Sequence, residues 1–241
     1  RWAVGAPDGA EPATAARLLD LTSGKLNTIL FNERVSDVDI SPDDRFVAIG
    51  TDLARVVVAR VEDRRPFLAS VCVGDKRDPL TEAGLTAPPA RFDWTPASVA
   101  FGPGGRLAAS AEGAQVWVWN VRDTAPPLLL PGHRMRFYNL GCRSLAFDRE
   151  GRLYSGSRGA VEDDEALLKL WDTAGGRLAG TLPGAEERLV PRVERIALSL
   201  DSQQIVASGK GGIQLWDLKL RRPPRRLMSG LPLAVSPDGF W

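Results

Sequence analysis

The sequence predicts an all-β protein built from recurring four-stranded antiparallel sheets. Three observations carry this: a self-similar segment in five copies, strands whose apolar residues alternate with period two, and the absence of helical periodicity. The copies begin at Val38 (VDISPDDRFVAIG), Val99 (VAFGPGGRLAASA), Leu145 (LAFDREGRLYSGS), Ile196 (IALSLDSQQIVASG) and Leu233 (LAVSPDGF). Successive starts are 61, 46, 51 and 37 residues apart, a spacing that accommodates one small sheet per copy.

Within each copy an apolar triplet runs into a turn rich in Pro, Asp and Gly and returns as a run of small and aliphatic residues, the signature of a β-hairpin. A third strand follows: VVVARVE after Arg55, VWVWNV after Gln115, LKLWD after Leu167 and IQLWDL after Gly212, with LLDL after Arg17 as an earlier example. Their alternating β-branched, Trp and Leu residues suit a pleated strand buried on at least one face. A weaker fourth strand begins near Leu26, Pro66, Pro127, Arg177 and Arg225, and its lower apolar content fits a sheet edge that meets solvent.

Bulk composition bounds the function. At 241 residues, 44% hydrophobic and 25% charged, the chain can bury a substantial core. Lys plus Arg number 31 against 30 Asp plus Glu, so the net charge of +1 supplies no overall field for a nucleic acid or an anionic membrane. No apolar run approaches the roughly 20 residues needed to cross a bilayer as a helix, and no charged-then-apolar leader opens the chain. Cys72 and Cys142 are too few for a disulfide framework and lack metal-ligand spacing, which leads us to expect reduced thiols and a cytoplasmic location. The start at Arg1 rather than Met leads us to expect a processed product or part of something longer.

Trp171-Asp172, Trp216-Asp217 and Trp119-Asn120 close third strands, and Gly132-His133 precedes the copy at Leu145. In these residues the chain resembles the WD-repeat family, over nearly its whole length except about Gly74 to Pro96. The resemblance implies a single β-propeller over 1–241, with blade strands near 1–31 plus 233–241, 36–73, 97–130, 143–182 and 193–228, and a long inter-blade insertion at 74–96. It also implies about five blades, one completed from both termini, or else five consecutive blades of a larger ring. Each blade is apolar on both faces, so an open arc would leave two unshielded sides. The third-strand Trp residues are expected in the core. By resemblance, His133, Ser155 and Trp171 form a hydrogen-bonded relay with an acid from the turn before the third strand, Asp163 or Asp164.

Function is expected at loops. In a propeller the segments entering first strands and those joining second to third strands share one face around the channel, fixed by the scaffold. Those entering first strands include Ser36, Ala97, Arg143, Glu194 and Leu231, and the second set Asp52, Glu112, Arg158 and Lys210. Their mixed signs fit a peptide or protein better than a polyanion. The segment after His133 adds Arg134, Arg136, Phe137 and Tyr138, a composition enriched at binding hot spots. The leading expectation is therefore a non-catalytic interaction scaffold or ligand-sensing module, with no cofactor and no metal. Its partner would be a protein or peptide, other domains of the same polypeptide included. Composition rich in Ala, Arg, Gly and Pro fits a bacterial sensor domain joined to an effector. The rival is a propeller hydrolase using channel carboxylates. The acids read from sequence fall mostly in turns, at Asp43-Asp44, Asp201 and Asp238, where Asp caps local backbone. A purely structural role is the third reading.

Overall fold

The computed structural model of the chain describes residues 2–5, 15–30, 34–51, 55–70, 98–110, 116–123, 125–131, 133, 142–157, 168–182, 193–209, 212–219 and 224–228. These form five antiparallel sheets. The first holds β1 (Trp2–Gly5), β2 (Ala15–Asp20) and β3 (Leu26–Leu30); the second β4 (Val35–Ile40), β5 (Phe46–Thr51), β6 (Val56–Arg60) and β7 (Pro66–Ser70). The third holds β8 (Ser98–Phe101), β9 (Arg106–Ser110), β10 (Val116–Asn120) and β11 (Leu128–Leu130). The fourth holds β12 (Cys142–Phe147), β13 (Leu153–Ser157), β14 (Leu168–Asp172) and β15 (Arg177–Thr181), and the fifth β16 (Val193–Leu198), β17 (Gln204–Gly209), β18 (Gly212–Asp217) and β19 (Arg225–Met228). Strand order within each sheet is sequence order, so every sheet is a meander. The one helical turn among the described residues is a 3-10 turn at Pro103–Gly105.

The first hairpin turns repeat one design. Ser41 Oγ donates to Asp43 Oδ1 at 2.6 Å and accepts from the Phe46 amide at 2.9 Å; Ser199 Oγ donates to Asp201 Oδ1 at 2.6 Å and accepts from the Gln204 amide at 2.9 Å. One or two residues before the return strand a residue takes a left-handed conformation in all four, at Asp44 (φ 58), Gly105 (φ 83), Gly151 (φ 81) and Ser202 (φ 56). Short polar residues and Gly occupy it because a β-branched side chain would clash there. The turns after third strands are capped by the residue following the Trp. Asp172 Oδ1 accepts from the Ala174 and Gly175 amides, Asp217 Oδ1 from the Lys219 amide and Asn120 Oδ1 from the Arg122 amide, each at 3.0 to 3.1 Å.

Sheets pack face to face in chain order, and period-two alternation sends neighbouring residues into opposite seams. Val47 and Ile49 join Ala16, Leu18 and Ile29 of the first sheet, while Ala48, between them, joins Val99, Phe101, Leu107 and Trp119 of the third. Trp171 packs against Ala100, Ala108, Val116 and Val118, and Trp216 against Tyr154 and Leu168. Each of these Trp side chains thus covers the preceding sheet, and both Trp171 and Trp216 are 1% exposed. The innermost strands β4, β8, β12 and β16 lie side by side in that order, with β1 beside β4. The fold is an all-β propeller. The expected clasp strand from Leu233 and the insertion at 74–96 lie outside the described residues.

Candidate functional site

The inner strands line a cavity of about 370 Å³, the channel of the propeller. Aligned by register, their first channel positions are Asp37, Ser98, Ser144 and Arg195, and the positions two residues on are Asp39, Ala100, Ala146 and Ala197. Side chains two apart on a strand share a face, so Asp37 and Asp39 present both carboxylates to this wall. Asp37 Oδ2 accepts from Ser98 Oγ and from the Val99 amide, both at 3.0 Å, and Asp39 Oδ2 accepts from the Phe101 amide at 2.6 Å. Both acids therefore bind β4 to β8 of the next sheet. At the junction of the fourth and fifth sheets a neutral group does the same, Ser144 Oγ accepting from the Ile196 amide at 3.0 Å.

Burial raises the Asp37 carboxyl above the usual range, opposed by its amide donors and by Arg195, whose Nη1 lies 3.9 Å from Oδ1. Burial, with the adjacent Asp37 charge, pushes Asp39 up to about 7. These acids do not fall in turns. The sequence expectation about acids passed them over, although aligning the first strands shows Asp at Asp39 where the others carry Ala.

At one end of the inner strands the pairing register slips between Val35 and Asp37, between Cys142 and Ser144, and between Val193 and Arg195. The extra residue of each bulge is Ser36, Arg143 or Glu194. The sequence placed these three in entering loops; they are instead strand residues, because the bulge adds one residue to the inner strand and extends pairing past it. All three are half-buried. Asp52, Glu112, Arg134, Arg136, Phe137, Tyr138, Arg158 and Lys210 lie outside the described residues.

His133, 1% exposed and outside the strands, meets the fourth sheet with Nε2 2.8 Å from Ser155 Oγ, and Trp171 Nε1 donates to the same oxygen at 2.8 Å. Because Ser155 accepts from Trp171, its own hydrogen is available to Nε2, which leaves the ring proton on Nδ1. That nitrogen has no partner among the described residues, and Asp164 lies outside them. Burial, with the nearby Lys169 charge, pushes His133 down to about 3, so the ring is neutral. In the third sheet Ala109 occupies the position of Ser155, and Trp119 Nε1 has no hydrogen-bond partner among the described residues.

A second cavity, about 650 Å³, opens between the fourth and fifth sheets at the opposite end of the inner strands, with Tyr154, Leu170 and Trp216 in its lining and Arg152, Asp201 and Lys219 among its charged residues. Sequence reasoning gave no sign of it, since its residues are scattered over turns and over strands β13, β14, β15 and β18. Cys142 is free and buried, and burial pushes its thiol up to about 12. Among the described residues no group of three or more His, Cys, Asp or Glu is placed to hold a metal ion, and no helix is long and apolar enough to cross a membrane.

This architecture is that of an all-β propeller built from antiparallel meanders. No protein-family model and no curated protein sequence matches the chain. Among solved structures, a chain from a crystal structure of a mitotic checkpoint complex is similar, with a TM-score of 0.60 and 15% identity. The match covers 87% of this chain and 56% of that one. At that identity the likeness shows the fold alone, and this chain spans little more than half the length of its neighbour.

Proposed function

We propose that the chain is a non-catalytic binding module that engages a protein or peptide partner through the face around its channel. The observation that carries this is the set of three equivalent bulges at the same end of β4, β12 and β16, whose extra residues are a hydroxyl (Ser36), a guanidinium (Arg143) and a carboxylate (Glu194). Bulges re-aim side chains, and a rigid sheet holds them without the entropy cost of ordering a loop. Mixed chemistry of this kind fits a polypeptide better than a polyanion. In sequence, Arg134, Arg136, Phe137 and Tyr138 lead into β12 at this same end, and Asp52, Glu112, Arg158 and Lys210 follow β5, β9, β13 and β17, which run toward it. That the similar chain was solved within a mitotic checkpoint complex supports a role in protein association.

A carboxylate hydrolase would rest on Asp37 and Asp39. Each is engaged by a backbone amide of the next sheet, an arrangement that favours a seam role over attack on a substrate. The test is affinity capture with the wild-type chain and an Arg136→Ala, Tyr138→Ala, Arg143→Ala variant, with melting curves to show that both are folded. Partner recovery falls roughly tenfold or more if the face is a hot spot. Equal recovery by a folded variant counts against this face.

A further inference from the structure

We propose that the cavity between the fourth and fifth sheets is a peptide site, in which an extended neutral segment pairs with the free edge of β15 and lays one bulky apolar side chain over Gly180. The two seams flanking the fourth sheet show why space exists there. In pairing register Val118 corresponds to Leu170, Leu130 to Leu182 and Trp171 to Trp216, and each packs into its own seam. One correspondence fails: Val118 pairs with Leu128 on the outer strand, whereas Leu170 pairs with Gly180. Residues paired across strands share a face, so Leu128 and Gly180 look onto equivalent seams. Leu128 fills its seam, packing with the apolar cluster around Trp171 and lying so close to the next sheet that a Cβ on Gly176 would meet Leu128 Cδ1 at 3.0 Å. Gly180 leaves the equivalent place empty. A Cβ there would meet no atom within 4 Å, and the cavity of about 650 Å³ lies against it.

The surroundings define the occupant. Tyr154, 2% exposed, stands in the lining where the third sheet has Ala108, and no hydrogen bond to its Oη forms among the described residues. A ring wall ending in an unmatched hydroxyl suits an apolar side chain carried on a polar backbone. Charge on the rim is engaged within the protein: Arg152 pairs with Asp148 and Glu150, Lys219 acts on Asp201, and Asp217 caps its own turn. A neutral segment therefore fits better than a charged one. Beside the cavity β15 is the outermost strand of its sheet, with Arg177, Leu178, Ala179 and Thr181 exposed, so its outer backbone groups meet no further strand among the described residues. Such an edge templates an added strand, and a large side chain on that strand covers a glycine beside it. The third sheet's edge differs, since Pro127 and Pro131 flank β11 and cannot donate to a ladder. This site lies at the opposite end of the inner strands from the channel face and does not rest on that reading.

The test uses two acetylated, amidated peptides, Thr-Val-Thr-Leu-Thr-Val-Thr and the same sequence with a central Gly, each titrated into the chain while backbone amides are followed by NMR. Saturable shifts are expected at Leu178, Gly180 and Leu170, with the Leu peptide binding about tenfold or more tightly than the Gly peptide. Gly180→Leu, which fills the slot from within, should melt roughly 2–4 °C higher and abolish that preference. Equal affinity of the two peptides for the wild-type chain overturns the slot, a result that needs no variant to fold. An absence of saturable shifts at β15 overturns the site, as do shifts confined to Ser36, Arg143 and Glu194, which would belong to the channel face. A folded Gly180→Leu chain that keeps the preference also contradicts it.

Discussion

Ser155 is where two buried side chains share one oxygen, and its position shows how much a single residue decides. It accepts from Trp171 and contacts His133, and all three side chains are buried. Removing the hydroxyl leaves two buried polar groups without a partner, at about 1–3 kcal/mol, whereas removing the indole empties part of a seam, at about 3–5 kcal/mol. Urea denaturation should therefore rank Trp171→Ala as more damaging than Ser155→Ala, with both clearly below wild type; an unchanged Trp171→Ala midpoint would remove that Trp from the core. The Trp residues were legible in sequence because an indole at the end of an alternating strand has few places to go other than a sheet interface. Asp39 was not, because an acid within a β-strand reads as a surface residue until the neighbouring strands are aligned and found to carry Ala.

At the scale of the strand, each seam between the described sheets combines apolar interlock with a polar staple near the turns. Arg64 donates to Asn27 Oδ1 at 2.7 Å, Arg122 pairs with Asp43, Arg106 donates to the Gly151 carbonyl at 3.4 Å, and the Arg149 amide donates to Ser202 Oγ at 3.1 Å. Such partly exposed contacts are individually weak, so the close packing of the faces dominates. Gly156 shows how close that packing is. A Cβ added there would lie 2.4 Å from Val193 Cγ1 and 3.2 Å from Ile196 Cγ2, across the seam of the fourth and fifth sheets. We expect Gly156→Ala to cost about 1–3 kcal/mol by wedging these sheets apart. Gly180→Ala, whose Cβ would meet nothing within 4 Å, should leave stability unchanged or slightly higher. A denaturation midpoint equally unaffected in both would show that the seam yields easily. Hairpins and third strands could be read from turn chemistry and alternation. The bulges at Ser36, Arg143 and Glu194 could not, since one extra residue leaves no compositional mark and shows itself only in the pairing register.

For the molecule as a whole, the sequence carried the sheet count through its repeats, while the number of sheets in the ring rests on chain ends outside the described residues. What the described residues establish is a radial order. Inner strands face the channel, second strands are buried on both faces, and the outer strand β15 is largely exposed. Exchange of backbone amides with deuterium reads that order directly, because protection follows burial and hydrogen bonding. The slowest amides should fall together in Val47–Ile49, Leu107–Ala109, Leu153–Ser155 and Ile205–Ala207, one set per four-stranded sheet, with those of Arg177–Thr181 exchanging fastest within their sheet. Protection confined to one contiguous stretch, or β15 as slow as β13, would contradict an array of sheets that bury their flanks against one another.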